Sequence, residues 1–245
     1  MKKSYIIIGV VVVVMLAAIG IYAVINSNSQ SKKQLEENST NIEGTTNTEN
    51  SAKENNTENK DGNIQNNQIS NESEENNMYS TGKHHAEIVV KNYGTIALEL
   101  DADVAPITVE NFANLVNEGF YNGLTFHRII SGFMIQGGDP LGNGTGGSSK
   151  TIKGEFASNG VKNSISHVRG TISMARSSMP NSASSQFFIV HQDSTFLDGK
   201  YAAFGTVTSG MEVVDKICAD TAVEDDNGTV AKNNQPVIEK ITIID

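Results

Sequence analysis

The chain predicts a mainly β domain, a closed antiparallel β-barrel carrying two α-helices, set behind an N-terminal apolar helix and a disordered tether. Three observations lead there. Short runs of alternating apolar and polar residues recur from about residue 84 to the end, separated by breaks rich in Gly and Asn. Only two stretches in that region have helical spacing. Residues 26–83 lack the apolar side chains from which a core is built.

Tyr5 to Ile25 is an apolar run of about twenty residues behind Lys2 and Lys3, long enough as a helix to cross ~30 Å of hydrocarbon. Residues 1–25 are expected to form a transmembrane anchor or a signal segment. The run is long for a signal peptide, and Ala18-Ile19-Gly20 is its only passable cleavage site, which favours an uncleaved anchor. Lys32 and Lys33 weaken the charge asymmetry, but the signal-like layout favours a cytoplasmic N-terminus with the domain that follows extracytoplasmic. Cleavage would make the protein secreted. Residues 26–83 are rich in Asn, Glu, Ser and Thr, cannot offset their ordering entropy by burial, and are expected to be a disordered tether spanning ~40–45 Å.

The remaining segment, 84–245, is long enough for one well-buried domain. HAEIVVK and TIALEL alternate about Asn92-Tyr93-Gly94, a hairpin signal. From Pro106 to Asn117, Val109, Phe112, Ala113 and Val116 share one helical face. Further strands are expected at Leu124–Ile130, Phe133–Gly137, Thr171–Ala175, Gln186–Val190, Ala202–Val207 and Val237–Ile244. A short second helix is expected in MEVVDKICADTA. That helix carries the lone cysteine, Cys218, whose solitude excludes an intramolecular disulfide and a lipid-modified anchor next to the apolar run.

Net charge is −10 with no basic stripe, which argues against nucleic acid as a partner. Gly142-Asn-Gly-Thr-Gly-Gly147 satisfies G-x-G-x-x-G, but it lacks the flanking strand, helix and distal acid of a dinucleotide site and reads as a surface loop. His84-His85 has no further ligands at metal-binding spacing, and no metal or cofactor is expected. His127, His167 and His191 beside many serines permit an imagined Ser-His-Asp hydrolase, but there is no G-x-S-x-G turn. His127 is expected to pack or hydrogen-bond within its strand. Nothing calls for an oligomer, so a monomer is the default.

The most informative stretch is FHRIISGFMIQGGDP (Phe126–Pro140), followed by SQFFIVH (Ser185–His191), FLDGK (Phe196–Lys200) and Phe204-Gly205. It sets one arginine and one glutamine among Phe, Ile and Met, a mix suited to holding an apolar ring while donating hydrogen bonds to an amide. These strings, in this order from about His85 to Asp245, closely resemble the cyclophilin family of peptidyl-prolyl cis/trans isomerases. The resemblance implies an eight-stranded barrel capped by two helices. It also implies a reaction that uses neither nucleophile nor cofactor, rotation about the X–Pro amide across a barrier of ~18–20 kcal/mol.

Carried over residue by residue, the resemblance makes Arg128 the catalytic arginine, with Gln136 beside it. It lays the proline pocket on Phe133, Met134, Gln136 and Phe188, with Leu197 at the wall, and the substrate-backbone groove on Ala175 and Arg176, with Gln186 at its edge. Phe187 reads as plain core. Two departures stand out. Phe196 occupies the place where the family often has tryptophan, and the chain contains none; Tyr201 stands where histidine is common. Phenylalanine keeps an apolar wall but lacks the indole N–H, so a cyclosporin-class ligand is expected to bind weakly. The expected function is prolyl isomerisation in exported or cell-surface proteins, with proline-containing polypeptides as partners and the N-terminal helix in the membrane. The alternative is a non-catalytic proline-peptide-binding module or chaperone on the same fold. An adhesin acting through the Asn-rich tract ranks third.

Overall fold

A computed structural model describes residues 78–245. The expected anchor at 1–25 and almost all of the expected tether lie outside the described residues. Among the described residues, no helix is long and apolar enough to cross a membrane. The last residues of the expected tether are already tied to the domain. The Tyr79 backbone N–H donates to Glu110 Oε2 (2.8 Å), and the Gly82 N–H donates to Asp103 Oδ1 (2.8 Å).

Eight strands form one antiparallel sheet: β1 Lys83–Val90, β2 Gly94–Asp101, β3 Thr125–Ile130, β4 Met134–Asp139, β5 Thr171–Met174, β6 Phe187–Val190, β7 Ala203–Ser209 and β8 Ile238–Ile243. Helix α1 spans Pro106–Asn117 and α2 spans Met211–Asp220. The strand order is β3-β4-β6-β5-β7-β2-β1-β8. The edge strands meet, because Thr125 bridges Val237 and the Ile238 N–H donates to the Leu124 carbonyl (2.8 Å). Curling brings both exposed edges together and so removes most of the unpaired backbone an open sheet would present.

The expected hairpin is present, with Val90 opposite Gly94 and Asn92 at φ 66°. Alternation sorts the side chains: Ala86, Ile88, Val90, Ile96, Leu98 and Leu100 all face the core. Phe112 of α1 packs into an aromatic cluster with Tyr121, Phe187 and Phe204, ring centroids 5.2, 5.7 and 5.3 Å away. Pro106 opens α1, and Ala105 before it has no side chain with which to cap the helix. The carboxylate of buried Glu155 does so instead, accepting from the Ile107 and Thr108 backbone N–H groups (3.1 and 2.8 Å) and the Thr108 hydroxyl (2.6 Å). In α2, Val213, Val214 and Ile217 are buried, while Cys218 is half-buried. Burial pushes the Cys218 thiol up to about 12, so it packs as an inert thiol.

Candidate active site

A second apolar cluster, separate from the barrel core, lies on the outer face of the sheet: Phe133, Met134, Phe188, Val190 and Leu197, with Ile130, Ala175 and Tyr201 against it. Adjacent residues of β6 therefore serve opposite faces, Phe187 filling the core and Phe188 the outer cluster. Register then aligns a row across four strands. Arg128 of β3 pairs with Gln136 of β4, Gln136 with Phe188 of β6, and Phe188 with Ser173 of β5.

Simple alternation along β3 would not produce this row, because Phe126 and Arg128 would share a face. Phe126 pairs with Gly137 and Arg128 with the very next residue, Gln136, so His127 is an extra residue bulged out of the ladder. The bulge flips the parity. Phe126 and Ile129 face the core, while Arg128 faces outward beside Ile130. His127 itself is buried, and neither ring nitrogen has a hydrogen-bond partner. Of the two roles expected for His127, it takes the packing one.

The outer cluster floors an open pocket of roughly 400 Å³, mouth included, lined by Arg128, Phe133, Met134, Gln136, Ala175, Arg176, Phe188, Leu197 and Tyr201. Arg128 donates from Nη1 to Gln136 Oε1 (3.2 Å), from Nε to the Asn227 carbonyl (2.8 Å) and from Nη2 to Asn227 Oδ1 (3.1 Å). Burial draws its pKa down, opposed by Tyr201 and Asp225, but a guanidinium stays charged throughout the physiological range. Gln136 passes the chain on, donating to Gln186 Oε1 (2.9 Å), and Gln186 in turn donates to the Gly146 carbonyl (2.7 Å).

Three of the residues read from the sequence sit differently from the rest. Gln186, expected at the groove's edge, is outside the pocket lining and accepts from Gln136. Phe196 is 44% exposed and lies beyond the lining, its ring 5.6 Å from that of Phe133. Arg176 lines the pocket but spends its donors on the Lys200 carbonyl (3.1 and 2.6 Å) and the Ser177 carbonyl (2.9 Å). Its guanidinium is sandwiched between Phe156 and Tyr201, at 4.8 and 4.7 Å from their ring centroids. Tyr201, so braced, stands edge-on to Phe188 at 5.9 Å. Burial raises its phenol pKa against the pull of Arg176 and Arg128, so it is neutral at physiological pH.

The hydrolase pattern set aside above has a geometric counterpart. His167 Nδ1 lies 2.8 Å from Asp198 Oδ1, and its Nε2 lies 3.0 Å from Ser173 Oγ. Ser173 is fully buried, however, and no substrate reaches its hydroxyl. The string instead fixes the imidazole ring, which stacks on Phe188 with centroids 6.0 Å apart and 17° between planes. The glycine-rich loop closes on the chain's own carboxylate. Asp139 accepts from the backbone N–H groups of Leu141 (2.8 Å), Asn143 (3.1 Å) and Gly144 (2.6 Å). Burial pushes the Asp139 carboxyl up, but these N–H groups bring it below the ordinary carboxylate range. His85 of β1 pairs with Asp245, two residues past the end of β8, and His84 reaches the Thr81 carbonyl.

Asn227 was invisible to sequence reasoning as a partner of Arg128. Asp226-Asn227-Gly228 signals a turn and nothing about what the turn touches.

The sequence model of the family described as cyclophilin type peptidyl-prolyl cis-trans isomerase/CLD matches residues 85–244. A peptidyl-prolyl cis-trans isomerase of Helicobacter pylori is 51% identical over 128 residues, 51% of this chain and 76% of the relative. Peptidyl-prolyl cis-trans isomerase B of Bacillus subtilis is 50% identical over 117 residues, 48% of this chain and 78% of the relative. A crystal structure of a cyclophilin type peptidyl-prolyl cis-trans isomerase of Cryptosporidium parvum, in the presence of the dipeptide Ala-Pro, superposes with a TM-score of 0.58 at 32% identity, covering 66% of this chain and 99% of that one. With the eight-stranded barrel and the arginine-rimmed pocket, these matches establish that the chain belongs to the cyclophilin-type peptidyl-prolyl cis-trans isomerases.

Proposed function

We propose that this isomerase acts on X–Pro bonds of exported or cell-surface polypeptides, held at the outer face of the membrane by residues 1–25, with Arg128 as the group that favours the twisted amide. The observation that carries the chemistry is the fixed guanidinium of Arg128 at the rim of an apolar pocket floored by Phe133, Met134 and Phe188. A pyrrolidine ring fits that floor, and the Ala-Pro dipeptide present with the Cryptosporidium parvum neighbour supports proline as its occupant. Twisting the amide localises the lone pair on the prolyl nitrogen and makes that nitrogen an acceptor. A donor aimed there binds the twisted amide better than either planar form, and only such differential binding raises the rate. Met134 adapts to the ring's shape, and the Gln136 amide is placed to steady the neighbouring backbone.

The role in export rests on the apolar run Tyr5–Ile25. Proline-limited refolding of an exported protein, with the full chain in detergent or vesicles, is the direct test, paired with protease treatment of intact cells. The slow refolding phase is expected to accelerate, and the domain is expected to be cleaved from outside. An unchanged slow phase refutes the chemistry; a domain protected until the cells are lysed refutes the location.

Phe196 makes a further outcome measurable. It presents an apolar face beside Phe133 but no N–H donor, so a cyclosporin-class ligand should bind more weakly than to a tryptophan-bearing cyclophilin. Phe196→Trp should tighten binding by about tenfold, the worth of one good hydrogen bond. Calorimetry showing equal affinity for both proteins would contradict this.

A further inference from the structure

We infer that Asn227 is a positioning residue for Arg128: the Asp225–Val230 turn grips the guanidinium from the side opposite Gln136 and fixes its aim into the pocket. This rests on the reading of Arg128 as the donor to the twisted amide. The grip is bidentate, because Asn227 accepts from Nε through its backbone carbonyl (2.8 Å) and from Nη2 through its side-chain oxygen (3.1 Å). Gln136 takes Nη1 from the other side (3.2 Å). A guanidinium has five N–H donors in a rigid plane. Three are spent in these bonds, and the two that remain are held in a fixed direction.

The turn is itself built to stay in place. Its last residues run alongside β3: the Ile129 N–H donates to the Gly228 carbonyl (2.8 Å), and the Val230 N–H donates to the His127 carbonyl (3.0 Å). Arg128 bridges Thr229 directly. Gly228 has φ 79°, and a Cβ there would lie 2.3 Å from the Ile129 carbonyl oxygen, so only glycine permits this close docking. Asp225 closes the turn by accepting from the Thr229 N–H (3.0 Å) and hydroxyl (2.9 Å), and its charge also favours the Arg128 cation. None of these hydrogen bonds involves Phe133, Met134 or Phe188. The effect of the grip is therefore on how often the donor is correctly aimed, which bears on kcat more than on peptide affinity.

The test measures kcat and KM separately, by NMR exchange on an Ala-Pro peptide, for the full chain and for Asn227→Ala, Asn227→Asp, Arg128→Ala and the Arg128→Ala/Asn227→Ala double variant. Asn227→Ala keeps the backbone acceptor and loses Oδ1, so kcat should fall about tenfold with KM little changed, as for loss of one charge-assisted hydrogen bond. Asn227→Asp, which retains the oxygen, should restore most of the rate. The double variant should be no slower than Arg128→Ala alone. Wild-type kcat in Asn227→Ala overturns the inference, and so does the same fractional loss in both backgrounds. Full activity in Arg128→Ala overturns the reading of Arg128 and Asn227's role with it. In the unaltered chain, the Arg128 Nε–H should be protected from solvent exchange; an unprotected signal overturns the inference without any substitution.

Discussion

Arg128→Ala is expected to lower kcat/KM by about 10²–10³-fold, the range seen when a single preorganised donor to a reaction's developing charge is removed. Peptide affinity should change far less. On the proposed reading the proline ring rests on Phe133, Met134 and Phe188, none of which relies on Arg128 for its place in the outer cluster. The fold should tolerate the change, because Arg128 is only half-buried and its partners, the Gln136 amide and the Asn227 carbonyl, can turn to water. Arg128→Lys should recover only part of the loss, since a point charge cannot serve Asn227 and Gln136 through one rigid fork. The measurement is cis/trans exchange of a bound Ala-Pro peptide, with affinity by calorimetry and stability by thermal unfolding. Full activity in Arg128→Ala would end the mechanism, and activity lost together with a lowered melting temperature would reassign the residue to structure.

The second large effect concerns acid. His127 is 4% exposed, its ring nitrogens lack partners, and burial pushes its pKa down to about 4. Asp139 opposes the shift, while Arg128 and Lys232 add to it. The unfolded chain takes up a proton at the ordinary imidazole pKa of about 6.5, whereas the folded chain resists it until about 4. In that window the unfolded state binds more protons, so stability rises with pH. His127's contribution is complete above about 6.5 and is lost as pH falls towards 4, a change on the order of 3 kcal/mol. That is a large share of the roughly 5–15 kcal/mol that holds an ordinary domain together. His167 is depressed in the same direction by burial, against Asp198. The acids with lowered pKa, Asp139, Asp198, Asp215, Asp225 and Asp245, act mostly below this window, while exposed His85, raised by its hydrogen bond to Asp245, works in the opposite direction. Denaturant unfolding at pH 7 and pH 4.5 should therefore show a steep loss in the unaltered chain and a shallower one in His127→Leu. Parallel losses would show that His127 is not the sensor.

Much of this was legible in the chain, and the exceptions have physical causes. The hairpin about Asn92-Tyr93-Gly94 and the buried face of α1 follow from local chemistry, and each was readable from a few neighbours. The strand number was not, since eight short alternating runs fit several closures, and only the family resemblance selected one. The pocket residues came from the same resemblance, and the register across β3, β4 and β6 explains why those letters meet. Arg176 was read as lying along the groove and lines the pocket, but its donors go to the Lys200 and Ser177 carbonyls, which no side-chain identity announces. Asn227 could not be found at all. Half of its hold on Arg128 is a backbone carbonyl, a group that every residue type possesses, so no side-chain identity announces it.

The single surplus residue in β3 has a wider consequence. Whether Arg128 leaves the barrel wall toward the core or toward the outer pocket is decided by that bulge, which puts it on the opposite face from Phe126 although two residues along; its bonds to Asn227 and Gln136 then fix the aim. The letters F-H-R thus work as a spacing before they work as a chemistry. A single substitution there leaves the spacing intact, but adding or deleting a residue would turn the barrel wall inside out where the pocket opens.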